Sequence, residues 1–287
     1  MGPGPFTLNK GRAMRTYILI MSSLIGVFAV MSLLYPLLIV AVQSVTGDGD
    51  ALTFASYQKV LSGKYYMRAL RETLIFCFAT SALATFWALP LAWRMGRNLK
   101  GAALLRSVSQ INFAFAGILY GMLIIALMGN AGALVIAERA VFGTEMTSGL
   151  AYTTFGLAIT YLSFQIPRSA LILSESIAKL DGNLIYAART LGGRGPDTAL
   201  LVVLPLIRPA ILEAASFSFI LAMGSFGPAL LIARTVTIFP AVAYREFTGF
   251  LNFSIAAAMA MVLATLVMAV NFTVRRLASP RIAVPSH

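Results

Sequence analysis

The most constraining feature of the sequence is a set of six long stretches that contain no Asp, Glu, Lys or Arg. Their lengths are 26, 21, 31, 22, 20 and 28 residues, whereas a transmembrane helix needs about 20 mainly apolar residues. The six stretches are Tyr17–Val42, Thr73–Trp93, Ser107–Ala137, Met146–Pro167, Ala214–Ala233 and Phe247–Val274. With only 11% charged residues in 287, the chain lacks the polar surface of a soluble enzyme, a nucleic-acid binder or a disordered protein. The sequence therefore predicts an all-α polytopic membrane protein with about six transmembrane helices, the third ending near Met128.

The few charges are distributed unevenly between the two sides of the predicted membrane domain. Of the 22 Lys and Arg residues, 15 fall on the side that holds both termini, and the two sides carry net charges of +11 and +1. Cytoplasmic loops are enriched in Lys and Arg, which predicts that both termini are cytoplasmic. The predicted organisation is a cytoplasmic tail over residues 1–16, a transmembrane domain over 17–277 and a second tail over 278–287.

The residue inventory argues against catalysis by this chain. Cys77 is the only cysteine and His287 the only histidine, so we expect no disulfide, no metal site and no histidine general base. The phosphate-binding pattern Gly-x-x-x-x-Gly-Lys-Ser/Thr is absent. We expect no cofactor and no ATP hydrolysis by this chain.

The loop after the fourth stretch differs from a simple connection. Between Pro167 and Ala214 lie 46 residues with nine charges, far more than a connector between helices needs. Apolar residues recur at helical spacing from Leu173 to Leu191, Gly192 ends that helix, and Pro196 begins another. The apolar segment 198–207 is too short to span a membrane and is expected at the interface. These patterns predict a helix–turn–helix over about 175–205 that docks another protein.

Part of this loop resembles the Glu-Ala-Ala loop of permease subunits of binding-protein-dependent ABC importers. Five residues match its spacing, namely Ala187, Ala188, Gly192, Leu204 and Pro205. Tyr186 stands where the family motif has its Glu, which removes a charge from the expected ATPase contact. Further segments resemble the subgroup that imports polyamines, ferric iron, thiamine, sulfate and phosphonates; they are 52–54, 68–74, 88–93 and 247–253.

This resemblance implies a MetI-like fold of the type I importers and a set of partners. The partners would be a second permease, expected to be a paralogue, two cytoplasmic ATPase subunits, a periplasmic or extracellular solute-binding protein, and membrane lipid, but no nucleic acid. The expected location is the bacterial inner membrane. The expected solute is a polyamine such as putrescine or spermidine, or a related solute such as ferric iron, phosphonate or thiamine. The ATPase-coupling residues would be Tyr186, Ala187, Ala188, Arg189, Gly192, Leu204 and Pro205.

Polar residues and a break in the fifth stretch mark a candidate translocation path or gate. The candidates are Asn112, Gln165, Met223, Gly224, Ser225 and Phe226. Polar groups at membrane depth face protein or a water-filled cavity, and a hydrogen bond between helices is the alternative for Asn112, Gln165 and Ser225. Gly117 and Gly121 form a Gly-x-x-x-Gly pattern, which indicates close helix packing rather than a site.

Two other kinds of protein remain as alternatives. A secondary transporter would carry inverted repeats or ionisable residues within its spans, and neither is evident in the sequence. A polytopic membrane protein without an ATPase partner, such as a membrane enzyme, would need a catalytic constellation at the interface. The presence or absence of a nucleotide-binding partner separates these alternatives from an ABC permease.

Overall fold

The computed structural model describes residues 5–46, 52–115, 117–233 and 235–278. Over these ranges the chain is helical, and its one extended contact is a bridge between Thr46 and Leu52. The α-helices are α1 (Pro5–Val45), α2 (Ala55–Ser62), α3 (Lys64–Gly96), α4 (Ala102–Ile111), α5 (Gly117–Met128), α6 (Ala133–Phe142), α7 (Thr154–Ala178), α8 (Gly182–Thr190), α9 (Gly195–Thr198), α10 (Leu204–Gly224), α11 (Gly227–Ile232), α12 (Phe239–Thr248) and α13 (Phe253–Ala278). The predicted all-α class is confirmed.

Five segments are long and apolar enough to cross a membrane. They are Leu19–Val45, Lys64–Gly96, Gly117–Phe142, Ala199–Gly224 and Phe253–Leu277. The chain is thus a multi-pass membrane protein. The predicted fourth span corresponds to α7, which has 25 residues but is not among these five, so a sixth span remains a prediction. Helix α7 is less apolar because its buried face carries polar residues such as Thr160, Gln165 and Ser169.

The fourth helix does not end with the uncharged stretch at Pro167, as expected from the sequence, because α7 continues to Ala178. Proline has no N–H group, so Pro167 leaves the carbonyl of Ser163, four residues earlier, without its helical partner. The side-chain amide of Asn112 donates a hydrogen bond to that Ser163 oxygen at 3.2 Å. Arg168, assigned to a cytoplasmic loop from the sequence, therefore lies inside a helix.

Helices α3 and α7 form the most extensive packing in the domain and run in the same direction. Phe76 contacts Tyr161 near one end of the pair, and a Cβ placed on Gly96 at the other end lies 2.8 Å from the Ile177 Cβ. Small residues recur every four positions along this face of α3, where Ala84, Ala88 and Ala92 are buried and Gly96 is half-buried. Small residues let helix backbones approach closely in membranes.

The break predicted in the fifth stretch is confirmed, since α10 ends at Gly224 and α11 begins at Gly227. The Gly-x-x-x-Gly pattern packs against this break, as expected. Cβ atoms placed on Gly117 and Gly121 lie 3.5 and 3.3 Å from Pro228 atoms, so larger side chains would push α5 away from α11.

Two local predictions for the charged loop are wrong. The expected helix over 173–191 is divided at residues 179–181, where the Asp181 side chain accepts the backbone N–H of Asn183 at 2.9 Å and begins α8. Segment 198–207 is not a separate interfacial piece. It continues from α9 through a π-helical turn, Ala199–Val203, into α10. The π turn directly precedes Pro205, whose ring disturbs the regular α-helical bonding of the previous turn.

Candidate functional site

Helix α8 stands apart from the main helix bundle and presents apolar side chains to the outside. Tyr186 is 66% exposed and Leu191, just after the helix, is 89% exposed. Ala187 is also exposed and Ala188 is half-buried, while the side chain of Arg189 lies outside the described residues. Exposed apolar groups on a segment rich in charges are typical of a surface that another protein covers.

The turn after α8 depends on glycine. Gly192 has a φ of +88°, a backbone conformation that glycine adopts freely and that is strained for residues with a Cβ. The backbone N–H of Gly193 donates to the Ala188 oxygen at 3.0 Å and that of Leu191 to the Ala187 oxygen at 3.1 Å, which ends the helix in the manner of a Schellman motif. The carboxylate of Asp197 accepts the N–H of Arg194 at 3.1 Å at the start of α9. Leu204 and Pro205 begin α10 directly beyond the π turn.

The ends of α3 and α7 hold this loop in place. The guanidinium of Arg97 donates to the Leu180 carbonyl oxygen at 3.4 Å, and the Leu180 side chain packs against an apolar cluster that includes Met95 and Ile177. A movement of α8 can therefore be transmitted to both long helices, because its anchor contacts both.

The break between α10 and α11 places its four candidate residues in different surroundings. Met223 is buried in the core, whereas Gly224 and Phe226 are exposed and Ser225 is half-buried. The Tyr161 hydroxyl donates to the Ser225 carbonyl oxygen, and the Ser225 hydroxyl donates to the Leu221 oxygen at 2.7 Å. The ring of Phe226 stacks on that of Tyr244, with centroids 5.4 Å apart. Met223 therefore has a packing role in this structure.

Asn112 and Gln165 lie elsewhere, on the third stretch and on α7. Asn112 follows the end of α4, in a 3₁₀ turn that interrupts the third stretch. Gln165 is 0% exposed, and neither polar atom of its amide finds a hydrogen-bond partner among the described residues. A buried amide without partners destabilises a protein by about 1–3 kcal/mol, so a structural role as a satisfied helix–helix contact does not account for Gln165.

An aromatic cluster lies between these two groups of candidates. Tyr161 bonds to the break at Ser225 and its ring contacts Phe164 at 5.3 Å. Tyr120 also contacts Phe164, at 5.7 Å, and its hydroxyl donates to the Asn112 carbonyl oxygen at 3.3 Å. The structure thus connects the two candidate regions through buried rings rather than by direct contact.

Arg168, which no sequence pattern marks as a site residue, lies next to this cluster. Its guanidinium lies over the rings of Phe113 and Phe164, at 5.0 and 5.6 Å from their centroids. It also donates to the Asn112 carbonyl oxygen at 3.4 Å. A proline usually ends a helix, but the apolar spacing of Tyr161 and Phe164 continues past Pro167 to Leu173 and Ile177 in α7.

Among the described residues, no three His, Cys, Asp or Glu side chains come close enough together to hold a metal ion. The single cysteine, Cys77, is buried in the core.

Comparison with known proteins places this geometry in a family context. No model of a known protein family matches the chain. The sulfate transport system permease protein CysT of Salmonella typhimurium is 25% identical over 235 residues, which cover 82% of this chain and 76% of that protein. The molybdenum transport system permease protein ModB of Escherichia coli is 27% identical over 170 residues, which cover 58% of this chain and 72% of that protein.

The fold is also found in solved structures. A chain of a bacterial ABC transporter involved in the import of the acidic polysaccharide alginate superposes with a TM-score of 0.73 at 16% identity, covering 94% of this chain and 99% of that one. In such transporters the permease subunits are non-catalytic, and separate subunits hydrolyse ATP. The chain is therefore similar in sequence to permease subunits of ABC importers, and it has the fold of such a subunit.

Proposed function

We propose that this chain forms half of a translocation path through the bacterial inner membrane and couples it to ATP hydrolysis through the loop that holds α8. The observation that carries the proposal is the exposed apolar surface of Tyr186 and Leu191 on a helix held away from the main bundle. In this proposal two ATPase subunits lie beneath the pair of permeases, and one of them binds α8. Their closure then moves α3 and α7 through the Arg97–Leu180 contact.

The proposed topology has six spans and both termini in the cytoplasm. The parallel arrangement of α3 and α7 supports it, because their final turns lie together next to cationic residues such as Arg94, Arg97 and Lys179. Helix α7, the fourth span along the chain, is added to the five apolar segments to make six. Its polar residues are tolerated because they are buried against other helices rather than exposed to lipid.

The break after α10 supports the proposed path and a second permease. Gly224 and Phe226 are exposed on the surface of the single chain, and irregular backbone at membrane depth is tolerated only where it is buried in protein or lines a water-filled cavity. This surface is therefore proposed to face a second permease, a paralogue of this chain, across the path. A solute-binding protein would deliver solute from the opposite side of the membrane to α8.

The proposed solute is a small anion. CysT and ModB are named for sulfate and molybdenum, and neither is named for a polyamine, the solute expected from the sequence. The position of Glu213 in α10 also favours an anion. This carboxylate lies towards the proposed cytoplasmic end of α10, five residues before Ser218, whose hydroxyl bonds to that of Ser169 on α7. A polyamine path would be expected to hold carboxylates at membrane depth.

The experiment that tests coupling uses Gly192→Asp in the complete importer. The variant strains a turn with positive φ and adds a negative charge at the proposed ATPase contact. We expect the protein to insert normally but to lose co-purified ATPase or the ATP hydrolysis stimulated by solute-loaded binding protein in nanodiscs. Gly101→Asp is the matched control, because Gly101 also has a positive φ and no atom within 4 Å of its Cβ position, but lies outside the α8 loop.

Two results would contradict the proposal. One is unchanged co-purification and unchanged stimulated hydrolysis in Gly192→Asp. The other is a wild-type chain that purifies without any ATPase and supports solute uptake in cells depleted of ATP, which would indicate a secondary transporter.

A further inference from the structure

Arg168 lies at membrane depth. It is ten residues before the end of α7, about 15 Å along the helix axis. Gly96 on α3 and Ile177 on α7 are neighbours, and the two helices run in the same direction. Arg168 is nine residues before Ile177 and Trp87 is nine residues before Gly96, so these two residues lie at the same depth. Trp87 is within the uncharged stretch of α3 that ends at Trp93. Ionisable residues in such positions usually face a pathway or an opposite charge.

No carboxylate neutralises this cation among the described residues. The ion pairs there are Arg68 with Glu72 and Arg139 with Glu145, both elsewhere. The guanidinium of Arg168 has two aromatic faces and one carbonyl oxygen as neighbours. These contacts orient the planar group without cancelling its charge, and they leave N–H donors for a further acceptor.

The surroundings of Arg168 are open to a solute. The side chain is half-buried, and Phe113, which covers one side of it, is 53% exposed. A cleft of about 430 Å³ lies on the side towards the end of α7, between α4 and α7, and its charged lining residues are Arg106, Lys179 and Glu175. Gln110 also lines the cleft and precedes Asn112, whose carbonyl oxygen accepts from Arg168, by two residues, so the cleft lies close to Arg168 in the fold.

We propose that Arg168 is a specificity-determining residue that contacts the solute during translocation, and that the solute is a tetrahedral oxyanion such as sulfate. A guanidinium binds such anions through two parallel N–H···O bonds, which a point charge cannot reproduce. The inference rests on the proposed function, since it requires that the solute pass this face of α7. The cleft then gives the anion an exit with a net positive charge, because Arg106 and Lys179 outnumber Glu175 there.

The test uses the complete importer, with its partner permease, ATPase subunits and binding protein, in vesicles of phosphatidylcholine alone. Uptake of radiolabelled sulfate, molybdate and phosphate is compared with uptake of putrescine. We expect oxyanion uptake by the wild type and a loss of about tenfold or more in maximal rate for Arg168→Gln. The concentration of loaded binding protein at half-maximal rate should not change, because that protein docks on the opposite side. Arg168→Lys should recover part of the rate.

Arg94→Gln is the control, because the exposed Arg94 donates to the Lys100 carbonyl oxygen at 2.9 Å, lies outside the cleft and makes no proposed solute contact. It should retain most of the wild-type rate.

The inference is overturned if Arg168→Gln transports an oxyanion at the wild-type rate, or if the wild type transports putrescine and none of the anions. Neither result would contradict the proposal that the chain belongs to an ATP-driven importer. Co-purification of the ATPase tests that proposal separately. A loss seen only in vesicles with added anionic lipid would assign Arg168 to a lipid phosphate and would also overturn the inference.

Discussion

The packing of α3 on α7 makes a quantitative prediction for Gly96→Ala. A Cβ at residue 96 would lie 2.8 Å from the Ile177 Cβ, the Ile177 Cγ2 and the Ser174 carbonyl oxygen, whereas carbon atoms in contact are normally about 3.5–4.0 Å apart. The Ser174 oxygen belongs to the α7 backbone and cannot move alone. The two helices must therefore separate, and the whole small-residue face of α3 loses contact.

Two opposing effects decide the size of the change. Overpacking a well-packed interior destabilises by about 1–3 kcal/mol, while replacing Gly by Ala in a helix stabilises by about 0.5–1 kcal/mol. Overpacking is the larger effect, so Gly96→Ala should reduce the free energy of unfolding by about 1–2 kcal/mol. At about 2–4 °C per kcal/mol, the expected fall in Tm is roughly 2–8 °C.

The assay uses the only cysteine of the chain. Cys77 is 1% exposed, so a thiol-reactive fluorophore labels it only as the full-length protein unfolds, and the labelling curve gives Tm. Gly26→Ala is the matched control, because Gly26 is also helical but has no atom within 4 Å of its Cβ position. Its Tm should stay constant or rise.

A Tm for Gly96→Ala equal to or above that of the wild type would refute the close packing of α3 and α7. A second check is the double variant with Ile177→Ala, which removes the colliding atoms. The two changes should be non-additive by about 0.5–3 kcal/mol, and simple additivity would contradict the assigned contact.

Three further predictions follow from buried or close contacts. Thr73→Val should destabilise the protein by about 1–3 kcal/mol, because the Thr73 hydroxyl accepts the buried N–H of Phe239 at 2.7 Å; the labelling assay measures it. Gly121→Val should cost about 1–3 kcal/mol and slow transport, since a Cβ there already lies 3.3 Å from the Pro228 Cα. Glu138→Ala should accelerate proteolytic cleavage after α6, because this carboxylate accepts four hydrogen bonds from residues 144–147.

Each of these has a control. Thr80→Val should have a small effect, because the Thr80 hydroxyl donates only to carbonyl oxygens of its own helix. Gly26→Val tests whether a β-branched residue alone explains the Gly121 result. Glu145→Ala removes an exposed ion pair with Arg139, which contributes little. If any control matched its variant, the contact assigned to that variant would be incorrect.

Several elements of the fold follow from sequence patterns because one local interaction dominates them. Runs without charge fix the apolar helices, Gly192 fixes the end of α8 through its positive φ, and the Gly224–Pro228 region fixes the break after α10. The continuation of α7 past Pro167 was not predictable in this way. The Ser163 oxygen that Pro167 leaves without a helical partner accepts a hydrogen bond from Asn112, 51 residues away in sequence.

The site was predictable only in part for a similar reason. The α8 loop carries a local spacing motif, whose role in coupling stays a prediction. By contrast, Arg168 on α7 contacts Asn112 and Phe113 of the 3₁₀ turn after α4. No local pattern in either segment indicates that the two segments meet. Met223 shows the opposite case. Its position next to the break predicts a path or gate residue, but its side chain packs in the core.

The central claim is that α8 contacts an ATPase subunit, and photocrosslinking tests it most directly. In a Cys77→Ala background, Tyr186→Cys gives the chain one exposed thiol, which is labelled with a benzophenone in the assembled importer. Phe250→Cys, which places an equally exposed thiol between α12 and α13, is the control on the opposite side. The account predicts that the residue 186 probe crosslinks to the ATPase subunit and that the residue 250 probe does not. An ATPase adduct at residue 250, or none at residue 186 in a complex that hydrolyses ATP, would contradict it.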